Sequence, residues 1–145
     1  MNYNIISPEK QEEFNQYYYF RWEYLRKPLD KQLGTERDDI EDLSIHRIVL
    51  NETKQIIAVG RIHHNSSIES QIRYFAVDKN YRRQGIGSYL MQDLESIVLR
   101  ENRKIMMLNA RENALSFYES LDYTISKKTN LLFKKIQHYE MKKVL

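Results

Sequence analysis

The chain contains no cysteine in its 145 residues. That excludes a disulfide framework, a thiolate zinc site and a cysteine nucleophile. It also lacks any apolar run long enough to cross a bilayer, and no signal-peptide core follows Met1. The expectation is a cytoplasmic protein with no membrane partner. A strong charge bias is missing as well. The net charge of +3 is too mild to argue for nucleic acid. Local excess at Arg82-Arg83, Lys127-Lys128 and Lys134-Lys135 fits either solvated surface or an anionic ligand. Repeats, linkers and low-complexity segments are absent. With 41% hydrophobic and 30% charged residues, the chain reads as one globular domain, residues 1–145, with a single substantial core. Glycine is scarce, at four residues.

Two of those four, Gly85 and Gly87, stand two apart in the stretch on which the chain is organised. A strand-like run, Gln71 to Val77, leads into Asp78-Lys79-Asn80-Tyr81-Arg82-Arg83-Gln84-Gly85-Ile86-Gly87-Ser88. An amphipathic stretch from Ser88 to about Asn102 leads out, with Ile86, Leu90, Leu94, Ile97 and Val98 on one stripe. Strand, glycine-bearing loop and helix start make an anion site. The first helical turn carries unpaired N–H groups and the positive dipole end. Glycine lets backbone approach a ligand closely. Arg82 and Arg83 add positive charge.

Ahead of this, Tyr3 to Ile6 reads as a first strand. Ser7-Pro8-Glu9 predicts a helix start, with serine as cap and proline at the first position. Phe14, Tyr17, Tyr18, Arg21, Trp22 and Leu25 recur at helical spacing until Pro28. Thr35 to Asp38 predicts a short helix from about Glu36 to Leu43. Its acids, Glu36, Asp38, Asp39, Glu41 and Asp42, read as an exposed charged face or as a lure for a cationic amine. Runs at Ser44–Asn51, Gln55–Asn65 and Glu69–Val77, with short turns between them, predict an antiparallel meander. Both faces of the middle run are apolar, so helices should cover both sides.

Ile105 to Ala110 is a continuous apolar run, expected as a buried central strand. It should lie parallel to the strand before the loop. Arg111 to Ala114 opens another helix, with Asn113 as a cap. Asp122 sits where a left-handed residue ends it. Tyr123–Lys128, Leu131–Ile136 and about His138–Val144 are the expected closing strands. The fold class is α/β (α+β): a mixed, mostly antiparallel sheet of six to seven strands.

The loop is not a dinucleotide fingerprint, because Leu90 occupies the third glycine position, and it is not a Walker A loop. His46, His63, His64 and His138 form no helical pair, so no metal is expected. No Gly-x-Ser-x-Gly elbow exists. The loop does resemble the acetyl-CoA-binding segment of the GNAT superfamily of N-acetyltransferases, whose signature is Arg/Gln-x-x-Gly-x-Gly/Ala after a strand. Asn109 to Tyr123 resembles that family's strand–helix segment, Asn-x-x-Ala-x-x-Phe-Tyr-x-x-x-Gly-Phe/Tyr. Here Asp122 replaces the usual glycine. The strong likeness covers roughly Gln71 to Tyr123.

The resemblance implies a GNAT-like sheet with a splayed parallel strand pair at the CoA cleft. It implies acetyl-CoA as cosubstrate, with its pyrophosphate on the backbone of Arg82, Arg83, Gln84, Gly85, Ile86, Gly87 and Ser88. Pantetheine would meet Phe75, Ala76 and Val77, and Asn113 would be a further CoA contact. Tyr118 matches the general acid that protonates the departing thiolate. A base must deprotonate the amine before it attacks; Glu69, His63, Glu36 and Glu23 are candidates, beside an ordered water. Residues Arg21 to Pro28 fall where such folds build the acceptor wall. The partners implied are acetyl-CoA and an amine acceptor, and a homodimer stays open. Transfer would be direct, in a ternary complex, because no cysteine can hold the acyl group. The alternative is a non-catalytic acyl-CoA-binding sensor on the same fold.

Overall fold

The computed structural model describes residues 2–132 and 136–145. Its strands are β1 (Asn4–Ile6), β2 (Ile45–Leu50), β3 (Ile56–His64), β4 (Glu69–Val77), β5 (Ile105–Arg111), β6 (Thr124–Leu132) and β7 (Ile136–Val144). Its helices are α1 (Gln11–Leu25), α2 (Ile86–Arg100) and the short α3 (Leu115–Glu119). The strands form one mixed sheet, ordered β1-β2-β3-β4-β5-β7-β6. Only β4 and β5 are recorded as a parallel pair among the described residues. The expected sheet of six to seven strands is thus met with seven. The chain divides into two compact units, residues 1–63 with 74–94 and residues 64–73 with 95–145.

In the first unit α1 carries an aromatic face. Tyr17, Tyr18 and Phe20 cluster with Ile48, Val59 and Ala76 in a core. The next residue along β3, Gly60, points to the opposite face of the sheet. A Cβ there would stand 3.0 Å from Leu94 Cδ1 and 3.3 Å from the Phe75 ring. The two helices therefore cover opposite faces of β3, and all residues from Ile57 to Ile62 are buried, as the two-sided apolar pattern predicts. Glycine at position 60 is what lets α2 lie this close.

Several sequence expectations are corrected here. Helix α1 begins at Gln11 rather than near Ser7, because the Glu13 carboxylate accepts the amides of Glu9 (3.0 Å) and Lys10 (2.8 Å). That captures the helix start three residues beyond Pro8. The segment expected as a helix over 36–43 holds only a 3-10 turn, Glu41–Leu43. Two of its acids, Asp38 and Glu41, bind buried arginines, while Asp39 and Asp42 are exposed.

In the second unit, β4 pairs with β5 in register from Glu69↔Ile105 to Ile72↔Leu108. Strand β5 alternates rather than being buried throughout: Met106, Leu108 and Ala110 are buried while Asn109 is exposed. Three closing strands are expected; among the described residues two are present, β6 running from Thr124 through Leu132. Residues 133–135, which include Lys134 and Lys135, lie outside the described residues. Asn113 does not cap α3. It sits in a 3-10 turn, Glu112–Ala114, and Ala114 occupies the cap position.

Asp122 has φ 73°, the left-handed conformation expected for it. A side chain there carries a steric penalty that glycine escapes. Asp122→Gly is therefore expected to stabilise the protein by up to about 1 kcal/mol, read as a higher urea midpoint at unchanged slope. A lower midpoint would mean that the aspartate side chain itself supports the turn.

Candidate active site

Strand β4 breaks its own regularity just before the loop. Tyr74 has φ 57°, an outlier for a bulky residue inside a strand. The recorded pairing with β5 ends two residues earlier, at Ile72. Phe75 and Val77 are half-buried beyond this kink, and Ala76 is buried. Asp78 then caps a 3-10 turn, accepting the Asn80 amide at 2.8 Å.

Arg82, Arg83, Gln84 and Gly85 are exposed. Two of them are left-handed, Arg83 at φ 62° and Gly85 at φ 81°. Arg82 Nε reaches back to the Val77 carbonyl at 3.3 Å, joining loop to strand. The first intrahelical bond of α2 runs from the Tyr89 amide to the Gly85 carbonyl, 2.9 Å. The amides of Ile86, Gly87 and Ser88 therefore precede the helical ladder. Ile86 buries its side chain, 2% exposed, which anchors this first turn to the core.

The residues present fit a pyrophosphate. No described heavy atom lies within 4 Å of where a Cβ on Gly85 would stand. The approach to this backbone is open, bordered by two exposed arginines and the positive end of α2.

In the second unit Tyr118 is 8% exposed. Its ring meets Phe117 and Tyr123 edge-on, with centroids 5.0 and 6.0 Å apart. Tyr123 is fixed in turn, its hydroxyl donating to Glu95 at 2.8 Å. Burial pushes the Tyr118 phenol above its ordinary value, while the Arg111 charge pulls the other way. Asn113 is exposed on the turn preceding α3.

Residues 7–145 match the family model described as the acetyltransferase (GNAT) domain. The chain belongs to the GNAT acetyltransferase family. A GNAT fold runs through its similar proteins. The uncharacterized N-acetyltransferase YjcF of Bacillus subtilis (strain 168) is 25% identical over 138 residues, 95% of this chain and 97% of that protein. The crystal structure of aminoglycoside 6′-N-acetyltransferase complexed with coenzyme A matches with a TM-score of 0.81 at 13% identity, covering 99% of this chain and 97% of that one. A GNAT family acetyltransferase from Elizabethkingia anophelis with acetyl-CoA bound matches with a TM-score of 0.78 at 14% identity, covering 99% of both chains. This GNAT chain is an acyltransferase enzyme, an N-acetyltransferase by family.

The base candidates of this GNAT enzyme fare differently. Glu69 is held by two partners. Its carboxylate pairs with Lys142 Nζ at 3.0 Å and accepts Asn65 Nδ2 at 3.0 Å. Burial would raise its pKa, but those two hydrogen bonds outweigh burial and hold it below the usual range. A carboxylate so held accepts a proton less readily than a free one. Glu36 is buried and accepts the Gly34 amide at 2.7 Å. His63 lies 3.1 Å from the Arg61 guanidinium. Glu23 is half-buried on α1.

Sequence reasoning missed a set of buried charges beside Tyr74. Arg21 and Arg61 are both 0% exposed. Arg21 grips Glu41 through both nitrogens, at 2.9 and 2.7 Å. Arg61 grips Asp38 likewise, at 2.7 and 2.9 Å, and lies 3.1 Å from Glu41. Burial alone would raise the Glu41 carboxyl, yet Arg21 holds it below the usual range. The available signal was two arginines at apolar positions: Arg21 on the aromatic stripe, Arg61 in line with Ile57 and Val59. A buried charge requires a partner.

His46 is bonded at both ring nitrogens, to the Tyr17 hydroxyl and to the Glu41 carbonyl, each at 2.8 Å. A carbonyl only accepts, so Nε2 carries the proton and Nδ1 accepts from Tyr17. Burial, with Arg21 and Arg61 nearby, lowers the His46 pKa below 6.5. Burial and Arg103 lower His64 as well. The unfolded chain then takes up protons more readily than the native one, so stability present above the ordinary histidine value is lost as pH falls through the lower native values. A urea midpoint lower at about pH 5.5 than at about pH 7.5 is expected; an unchanged midpoint would contradict the assignment of neutral imidazoles.

Proposed function

We propose that this enzyme transfers an acetyl group from acetyl-CoA to a primary amine, on a small molecule or a peptide, by direct attack in a ternary complex. The reading rests chiefly on the open, left-handed Gly85 backbone at the start of α2, followed by helix amides and flanked by Arg82 and Arg83. Acetyl-CoA supplies an acyl carbon activated as a thioester. The amides of Arg82 to Ser88 hold its pyrophosphate. Phe75, Ala76 and Val77 offer backbone groups to pantetheine, and an N–H among them stabilises the developing oxyanion. Asn113 adds a polar contact. Tyr118 gives a proton to the departing sulfur, and burial keeps that hydroxyl protonated until it is needed. The amine loses its proton to water, since Glu69 is tied to Lys142.

The experiment is an amine and peptide panel with acetyl-CoA, following release of free thiol, preceded by a thermal shift. A ligand at a hundred times its Kd adds about 2.7 kcal/mol to stability, an easily read rise in Tm. No rise would remove the donor assignment. Binding without turnover on a broad panel would return the sensor reading.

Gly85→Val tests the cradle. A β-branched residue at φ 81° is strained, and its methyl groups fill the open approach. Acetyl-CoA binding is expected to weaken by about tenfold or more, measured by calorimetry. Equal affinity would place the pyrophosphate elsewhere.

A further inference from the structure

The left-handed turn at Tyr74 needs a cause. Holding a bulky residue there costs on the order of 1–3 kcal/mol, and it persists only where the surroundings over-determine it. The surroundings are unusual. The Tyr74 ring is 5% exposed and sits among guanidinium groups. Arg21 Cζ lies 3.7 Å from its centroid and Arg61 Cζ 4.9 Å away. A guanidinium over an aromatic face is attracted by the ring quadrupole, more strongly when desolvated.

Arg21 is itself held on several sides. Besides its two bonds to Glu41, it donates to the Tyr17 hydroxyl at 3.2 Å and to the Glu36 carbonyl. The chain of constraint runs from carboxylate to guanidinium, to ring, to backbone. The backbone it ends on leads directly into Phe75, Ala76 and Val77.

We propose that Arg21, locked by Glu41, is a positioning residue for the donor: its stacking on Tyr74 holds the left-handed turn that aims the Phe75–Val77 backbone at pantetheine. This rests on the donor assignment made above. The stack acts on the pantetheine segment and not on the pyrophosphate loop, so the two parts of the donor should respond differently.

The test uses the full chain and two ligands. One is acetyl-CoA. The other is adenosine 3′-phosphate 5′-diphosphate, which carries the pyrophosphate and no pantetheine. Calorimetry on Arg21→Met, Tyr74→Leu and Tyr74→Phe is read beside Tm. Tyr74→Leu removes the π face and leaves both ion pairs whole, so it decides the matter where Arg21→Met folds poorly. Tyr74→Leu is expected to weaken acetyl-CoA by about tenfold while the nucleotide stays within about twofold. Tyr74→Phe keeps the ring face and should restore wild-type binding of both ligands. Equal loss for both ligands, or a lowered Tm with acetyl-CoA affinity intact, would reduce the stack to a structural contact and overturn the proposal. Failure of the wild-type protein to bind either ligand is a different result: it removes the donor assignment itself, and the role of Arg21 with it.

Discussion

Tyr118→Phe is expected to lower kcat by about a hundredfold or more, with the Kd for acetyl-CoA nearly unchanged. The substitution removes one hydroxyl and leaves the ring. The edge-on contacts to Phe117 and Tyr123 survive, so Tm should barely move. What disappears, on the proposed mechanism, is the proton offered to the thiolate. Burial keeps the phenol neutral at working pH and also makes it a weaker acid. The Arg111 charge favours the phenolate left behind, which eases donation. Single-turnover kinetics beside calorimetry separate chemistry from binding. A rate equal to wild type would remove Tyr118 as the acid and pass the proton to solvent.

Arg61→Met is expected to cost about 3–5 kcal/mol of stability, the largest loss foreseen for a single exchange. Methionine fills much of the same volume, so the effect is electrostatic rather than a cavity. The change takes from Asp38 its two bonds to Arg61, leaving it the Ile40 amide at 3.1 Å, and deprives Glu41 of a second cation. Asp38 is 21% exposed at its side chain, and water relieves part of its charge, which places the loss toward the lower bound. For a chain of this length that corresponds to a fall in Tm of about 10 °C. Adding Asp38→Leu should recover part of the loss, because a pair replaced by apolar groups leaves no bare charge. Loss below about 1 kcal/mol for the single variant would show that solvent screens the pair as it does on a surface.

Much of the fold could be read locally. The meander follows from short polar turns between alternating runs, and the observed β2 to β4 lie within those runs. The glycine loop and the start of α2 are contiguous in sequence, so the motif carried the family and the fold together. Several of the misreadings depend on partners distant in the chain, while others, such as Asn113, turn on local backbone geometry. Asp38 and Glu41 look solvated until Arg61 and Arg21 are brought to them. The turn at Tyr74 has no local signal, since nothing in Arg73-Tyr74-Phe75 asks for a left-handed residue. Asn113 has a capping side chain, yet the backbone enters α3 through a 3-10 turn and leaves it no cap to make. The ion pair of Glu69 has no local signal, because Lys142 is 73 positions away.

The Arg21–Glu41 pair also ties the docking of α1 to the closure of the loop bearing Glu41. A bare guanidinium cannot enter an aromatic core without a heavy desolvation penalty, so α1 cannot dock before the loop bearing Glu41 has closed. Those two residues are 20 apart in the chain, a modest loop whose closure entropy grows only slowly with length. Helix docking and loop closure must occur as one cooperative step. A species with the helix seated and the loop open is too high in energy to accumulate.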